Sequence, residues 1–394
     1  MMKFKYLRHP LRSAHAAKSL IRARLEMRKF AAQGDEQFGN DPHYDPRAVA
    51  VGFACRLDKQ SDDKLLLERI CAAYIRSAQQ QQLASPTYVA TPWWEEIRQR
   101  SLGPVKEALL NRNITALQGM YGNFLRDPCS TGLVSVPYGM TDAYFRANIK
   151  EVHRRYYLTD VLRRIAYWEQ QTAGRFPLSA LAAAEIGNPF GVMIEKTLIE
   201  AGAPFRHYCA QRIGSLLSSA TNTVAELGGG FGGMAYYLLR DRPATRYLGF
   251  DVPESVALTS YYLIKAFPRL KFLLYGEADA TPQAIMQADV TLLPLFELEK
   301  LPTGSVDLTF SSHSICDVVP TLLSDYLDNI ARITRKQFLC IGVDGGEGSA
   351  ARLIGRHLSF RVSKRRLSGW HAHKVRAATE VECLYSLACD RSNG

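Results

Sequence analysis

Residues 223–253 read TVAELGGGFGGMAYYLLRDRPATRYLGFDVP and leave few choices of fold. A short apolar run (Val224, Ala225, Leu227) ends in a cluster of glycines, and a helical pattern follows. About twenty residues further on, a second apolar run closes on Asp251. Strand, glycine turn, helix, strand and terminal acid form the first half of a nucleotide-binding α/β sheet. The remainder of the C-terminal half continues the alternation. Strands are expected over 270–275, 306–311 and 337–343, with an additional extended segment over 289–294. Helices are expected over 254–266 and 321–333, the first stopped by Pro268. The segments 360–367 and 381–389 read as two closing strands joined through Trp370 and His373. Alternating βαβ units call for a parallel sheet with right-handed crossovers, and an antiparallel strand suits its end.

The first 219 residues differ. From residue 12 onward the periodicity is helical almost throughout, clearest over 61–82, 92–100, 113–127 and 141–172. Thr91 is expected to cap the helix that opens with Pro92, while Gly and Pro mark loops over 130–140 and 186–191. A helix over 207–220 leads into the glycine turn. The expected division is a basic helical tail (1–45), an α-helical substrate or cap domain (46–205) and a cofactor-binding α/β domain (206–394).

Composition narrows the setting. No apolar run reaches the roughly 20 residues needed to span a bilayer. The eight cysteines contain no C-x-x-C pair, and Cys340 lies inside the apolar run FLCIG. Reduced, buried thiols in a cytoplasmic protein are therefore expected rather than a zinc site. The net charge of +11 gathers in the first thirty residues, where nine basic side chains from Lys3 to Lys29 face Glu26 alone. Such a tail is a solvated helix, or a peripheral contact with anionic lipid at the inner membrane or with a polyanionic glycan. Nucleic acid is not expected as a partner, since no aromatic-interleaved basic stripe accompanies the charge.

Two cofactors compete for the turn. Gly228, Gly230 and Gly233 satisfy the dinucleotide fingerprint G-x-G-x-x-G, and Asp251 has the spacing of a ribose-binding acid. The same window also reads acid-x-Gly-x-Gly-x-Gly through Glu226, Gly228, Gly230 and Gly232. A pyrophosphate wants bare N–H groups at a helix N-terminus, without a carboxylate beside them. S-adenosylmethionine has no phosphate and carries a sulfonium and an ammonium, which a carboxylate attracts. Glu226 thus favours the methyl donor, with Asp251 accepting both ribose hydroxyls. An NAD(P)-dependent sugar oxidoreductase is the rival, and Tyr261 with Lys265 supplies its Y-x-x-x-K pair. That pair lies on the helix directly after strand two, too early to reach a nicotinamide, and reads instead as an amphipathic helix face. A glycan-assembly scaffold with a decayed nucleotide site is the non-enzymatic rival.

LGGGFGGMAYYLL followed by GFDVPESVALTSYYLIKAFP resembles a bacterial family of sugar O-methyltransferases. The Trp93–Trp94 helix, Asn123–Arg126, the Gly187–Asn188–Pro189 loop and the 310–317 segment with YLDNIARI extend the resemblance over about residues 90–390. The family usually has Glu-Met where this chain has Asp317–Val318. The resemblance implies a class I methyltransferase fold, Rossmann-like, of strand order 3-2-1-4-5-7-6, and methylation of a sugar hydroxyl.

Methyl transfer is an in-line displacement that needs the hydroxyl aligned and its proton removed. The acceptor is expected beyond the carboxyl ends of the strands. There His313 is either a general base or a packing residue beside the adenosine, and Asp317 can orient it if that segment turns helical. Ser311 and Ser312 are candidate cofactor contacts. Asp344 and Glu347, with Asp317, could also hold Mg²⁺, although a glycine-rich turn with solvated acids is the preferred reading and no metal site is assigned. His371 and His373 beside Trp370 read equally as a rim of the acceptor pocket or as loop residues, while Trp93, Trp94 and Arg126 could contact a sugar but read better as core.

Overall fold

The computed structural model describes residues 10–58, 62–88, 92–134, 149–218, 222–279, 281–345, 349–370 and 379–387, without the side chains of 10–20, 23, 93, 317 and 320. Thr91, Glu347, His371 and His373 therefore lie outside the described residues. The chain divides into two compact units that interleave along the sequence. One holds residues 1–56, 135–182 and 189–204; the other holds 57–134, 183–188 and 205–394.

In the first unit, the helix Pro10–Phe38 packs against the helix Glu151–Thr172. Phe30 meets Tyr156 with ring centroids 4.8 Å apart, and Asp35 pairs with Arg155. Helical periodicity conceals one element here. Val192–Ile194 (β1) and Thr197–Ile199 (β2) form a two-stranded antiparallel hairpin. Its turn residues Glu195 and Lys196 have φ of 48° and 67°. Two consecutive positive φ values give the tight primed turn normally written Asn-Gly. With Glu-Lys in those places, the sequence carries no turn signal.

The second unit is built on an eight-stranded sheet. Its strands are Thr223–Leu227 (β3), Arg246–Asp251 (β4), Phe272–Leu274 (β5) and Val290–Pro294 (β6). They continue with Val306–Ser312 (β7), Thr334–Asp344 (β8), Phe360–Leu367 (β9) and Thr379–Leu387 (β10). The spatial order is β5-β6-β4-β3-β7-β8-β10-β9, with β10 antiparallel to both neighbours. Setting aside β5 at the edge, this is the order 3-2-1-4-5-7-6 of the class I methyltransferase fold. The third position belongs to β6, which pairs with β4, and not to 270–275 as expected. The apolar run of β6 is longer and buried along its length, which suits an inner parallel strand, whereas β5 is three residues long. Two short helices, Pro282–Gln287 and Ala350–Arg356, also escaped the periodicity, since each spans less than two turns.

The helices of 57–134 belong to this unit. Asp63, next to the start of the helix Lys64–Gln81, is buried and accepts from the Tyr261 hydroxyl at 2.7 Å and from Lys265 Nζ at 2.8 Å. The Tyr261–Lys265 pair of the oxidoreductase reading is therefore engaged in joining helices. Asp63→Ala removes a carboxylate shared by a buried hydroxyl and a largely buried ammonium, so we predict a loss of about 3 kcal/mol in urea unfolding. An unchanged unfolding midpoint would show that the cluster contributes nothing. Glu254 of the D-V-P-E sequence has a similar task, accepting from Trp94 Nε1 at 3.1 Å and from the Arg98 guanidinium.

Candidate functional site

The parallel strands end on one side of the sheet, and the predicted residues gather there. β3 delivers Glu226 and the glycine turn, β4 delivers Asp251, and β7 delivers Ser311, Ser312 and His313. Because β10 is antiparallel, its beginning lies at the same edge, with Thr379 opposite Asp344 and Glu380 opposite Val343.

The turn needs its glycines for backbone conformation. Gly228, Gly230 and Gly232 have φ of 75°, 60° and 88°, where a side chain is strained. Gly228 is also hemmed in, since a Cβ there would stand 2.1 Å from Ser314 Cβ. The turn is tied to strand β4 rather than left open. Gly228 donates its N–H to Phe250 O at 2.7 Å, and Gly230 donates to Asp251 Oδ2 at 3.0 Å. The other carboxylate oxygen, Oδ1, accepts from the Val252 N–H at 2.7 Å. Thr259 Oγ1 donates to Gly230 O at 2.6 Å from the helix Pro253–Ala266.

Glu226 sits beneath this turn, 3 % exposed, accepting from the Tyr247 hydroxyl at 2.5 Å. Its Oε2 is 3.0 Å from where a Cβ on Gly229 would be. Its charge therefore acts on the turn through the field, and its hydrogen bond goes to protein. Tyr247 was not foreseen; it stands two residues before Gly249, which is the partner of Glu226 in the β3–β4 register. Alternation along β4 places Tyr247 and Gly249 on one face, and the glycine leaves room for the phenol beside it.

Burial raises both carboxyls. Glu226 is pushed up to about 7 by desolvation, offset in part by the Tyr247 bond. Asp251 is also pushed up to about 7 by desolvation, against the two backbone N–H bonds that favour its charge. A folded value above the unfolded one means the fold prefers the protonated group. The resulting stabilisation is complete below the ordinary values of 4.5 and 3.8 and is lost as pH rises through about 7. Glu226→Gln retains an acceptor for Tyr247 without the buried charge. We predict that it stabilises the protein by on the order of 2 kcal/mol at pH 8 and by little at pH 4. Equal melting shifts at both pH values would contradict that account.

Ser311 is fully buried and donates to Leu227 O at 3.2 Å, so it links β7 to the end of β3. Ser312, half-buried, ends the strand opposite Ile341. His313 follows with φ 62°, a value few non-glycine residues adopt, and its N–H donates to Ile341 O at 2.8 Å. The segment Ser314–Asp317 then turns helical, as the orienting role of Asp317 required, although the Asp317 side chain is outside the described residues. The described carboxylate beside the imidazole is Glu380 of β10, with Oε1 3.1 Å from Nε2. Phe205 lies 6.2 Å from His313 by ring centroid and 5.4 Å from Trp370. Trp370 itself is 3 % exposed, so it is a packing residue.

Several other candidates are committed elsewhere. Asp344 accepts from Ser349 at 2.8 Å and pairs with Arg352 and Arg365, two guanidinium groups where a magnesium ion would need open oxygens. No cluster of three metal-ligating side chains occurs among the described residues. Arg126 is buried and donates from Nε to Asn188 O at 2.9 Å, bracing the Gly187–Asn188 loop. Cys71, Cys129, Cys209, Cys340 and Cys383 are free and buried. No helix among the described residues is long and apolar enough to cross a membrane.

No family model matches the chain, and no curated protein does. Among solved structures, it is similar to a SAM-dependent methyltransferase from Aquifex aeolicus, at 16% identity over 45% of this chain and 87% of that one, with a TM-score of 0.32. Mitomycin 7-O-methyltransferase is similar at 16% identity over 48% and 56%, with a TM-score of 0.30. Magnesium protoporphyrin IX methyltransferase from Synechocystis PCC 6803, with bound SAM, is similar at 11% identity over 46% and 76%, with a TM-score of 0.31. Likenesses this distant transfer no activity, and the fold assignment rests on the strand order.

Proposed function

We propose that the chain is an S-adenosylmethionine-dependent O-methyltransferase acting on a hydroxyl of a sugar or glycan precursor. The observation that carries this reading is the hydrogen bond from the Gly230 N–H to Asp251, with buried Glu226 directly below the turn. A dinucleotide would bring two phosphate charges to a turn whose middle amide is already taken and which two carboxylates surround. A sulfonium and an ammonium draw both carboxyls, held near 7 by burial, toward their ionised form, whereas phosphates push them further from it. Asp251 can extend its remaining lone pairs to ribose hydroxyls, and the glycine backbone gives the close approach that a methionine chain needs. When bound, the cofactor supplies an electrophilic methyl group, whose bond to sulfur breaks with the electron pair left on sulfur while the acceptor oxygen forms the new bond.

The protein's own share is to hold the acceptor in line and to take its proton. His313, at the end of β7 and half-exposed, is the group we assign to that proton. Ser312 borders the cofactor in this reading, while Ser311 supports it through Leu227 O. The sugar class rests on the resemblance of residues 90–390 to sugar O-methyltransferases. Incubation with methyl-labelled S-adenosylmethionine and a panel of nucleotide sugars and lipid-linked glycans tests it. Label in a base-stable ether on one sugar is the expected result. Label only on protein, nitrogen compounds or non-sugar hydroxyls would remove the sugar assignment.

A further inference from the structure

We infer that Glu380 is the positioning residue for His313, an inference that rests on the methyl-transfer reading of the site. The two residues lie 67 positions apart in the sequence and meet because of the sheet. β10 runs antiparallel, so its first residues stand at the edge where β7 ends, and β8 lies between them. Gly342 in β8 makes the crossing possible, since a Cβ there would stand 2.0 Å from Cys316 Sγ. The turn carrying His313 can therefore lie down across β8 toward β10.

The pairing has features beyond proximity. Glu380 is 5 % exposed, and an ionised carboxylate held out of water calls for a cation or donors. Ser368 donates to it through Oγ, and His313 Nε2 stands 3.1 Å from Oε1. His313 itself holds a positive φ, with its N–H fixed to β8, so the backbone as well as the carboxylate sets the direction of the ring. Positive φ at a histidine is a strain that the surrounding structure must impose. The neighbouring acid on the same face of β10, Glu382, is engaged separately by Tyr208, Arg212 and Arg366. Among the described contacts, Glu380 stands beside the imidazole and accepts from Ser368, while Glu382 faces the two arginines.

The Glu380 charge stands beside Nε2 at ion-pair distance, outside hydrogen-bond geometry, and favours the tautomer that carries its proton there, so that Nδ1 becomes the base. The proton leaving the acceptor hydroxyl passes to Nδ1, and the imidazolium so formed is balanced by Glu380. No further oxidant or co-reactant is needed. A carboxylate on the far side of an imidazole also raises its proton affinity, so the neutral ring is a stronger base at the cost of losing activity at a higher pH.

The test uses the full-length protein carrying nitrogen-15 histidine, in wild-type, Glu380→Gln and Glu380→Asp forms. In the wild type, the His313 ring nitrogens, assigned by the His313→Asn variant, are expected to show the Nε2–H tautomer. Glu380→Gln is expected to lower the His313 titration midpoint and to mix the tautomers, with Glu380→Asp falling between. S-adenosylmethionine affinity by calorimetry should stay within about twofold in all three, as the cofactor side is untouched. With any acceptor found, Glu380→Gln should lower kcat roughly 100-fold and move the acid limb of the kcat profile to lower pH. An unchanged tautomer and titration midpoint in Glu380→Gln would overturn the inference even in an active methyltransferase. If the expected ring signature appears but no cofactor binds, Glu380 positions His313 as inferred and the methyl-transfer reading fails.

Discussion

Alanine in place of Asp251 is expected to weaken S-adenosylmethionine binding roughly 100-fold, measured by calorimetry at pH 7.5. Two effects add. The ribose hydroxyls lose a charged acceptor, and a hydrogen bond to a charged group is worth about 1.5–3 kcal/mol. The Gly230 and Val252 amides also lose the oxygens that hold them at 3.0 and 2.7 Å, so the turn loses its tie to β4 through this side chain. Asparagine at the same position keeps one acceptor and the size, and should fall between. Affinity unchanged in both variants would remove Asp251 from the cofactor site and take the strongest structural argument with it.

Loss of the His313 ring should act on a different quantity. His313→Ala is expected to lower kcat about 1,000-fold on the acceptor identified by labelling, while cofactor affinity stays within about twofold. The residue's φ of 62° makes alanine strained there, so asparagine, which tolerates positive φ better, serves as a second variant. If both variants turn over at the wild-type rate, the histidine is a packing residue and the proton leaves by another route. If cofactor affinity collapses as well, His313 supports the adenosine side and the base assignment is wrong.

The parts of this site that were legible in the sequence are those set by local chemistry. Positive φ demands glycine, so Gly228, Gly230 and Gly232 announce the turn. A strand that ends at an acid announces Asp251. Parallel alternation sets the direction of β3, β4, β7 and β8, which is why the carboxyl-end rule places Glu226, Asp251 and His313 at one edge. What stayed hidden depends on register between distant strands. Tyr247 holds Glu226 because the two are brought together by the β3–β4 pairing. Glu380 reaches His313 because β10 reverses direction, a fact that the pattern T-E-V-E-C-L states only as acids in an apolar strand. Asp317 drew attention because it is near in sequence, and nearness in sequence is what periodicity can see. The β1–β2 hairpin was missed for the related reason that Glu195 and Lys196 hold a conformation their chemistry does not advertise.

Asp63 shows the same limit from the opposite side. Tyr261 and Lys265 share a motif with reductases, and the helix carrying them is real. Their partner, however, lies about 200 residues earlier in the chain, at 2.7 and 2.8 Å from the two side chains. A motif on one helix cannot say which other helix will claim its polar groups.

Under the proposed function, the glycine turn receives a methyl donor and not a dinucleotide. Thermal unfolding of the full-length protein with S-adenosylmethionine, S-adenosylhomocysteine, NAD⁺ and NADP⁺, each at matched concentration, tests it most directly. A ligand at about 100 times its dissociation constant stabilises the folded state by about 2.7 kcal/mol, enough to move a melting point visibly. A rise is expected with both adenosyl compounds, most of it lost in Asp251→Ala, and none with either dinucleotide. A rise with NAD⁺ or NADP⁺ and none with S-adenosylmethionine would contradict it.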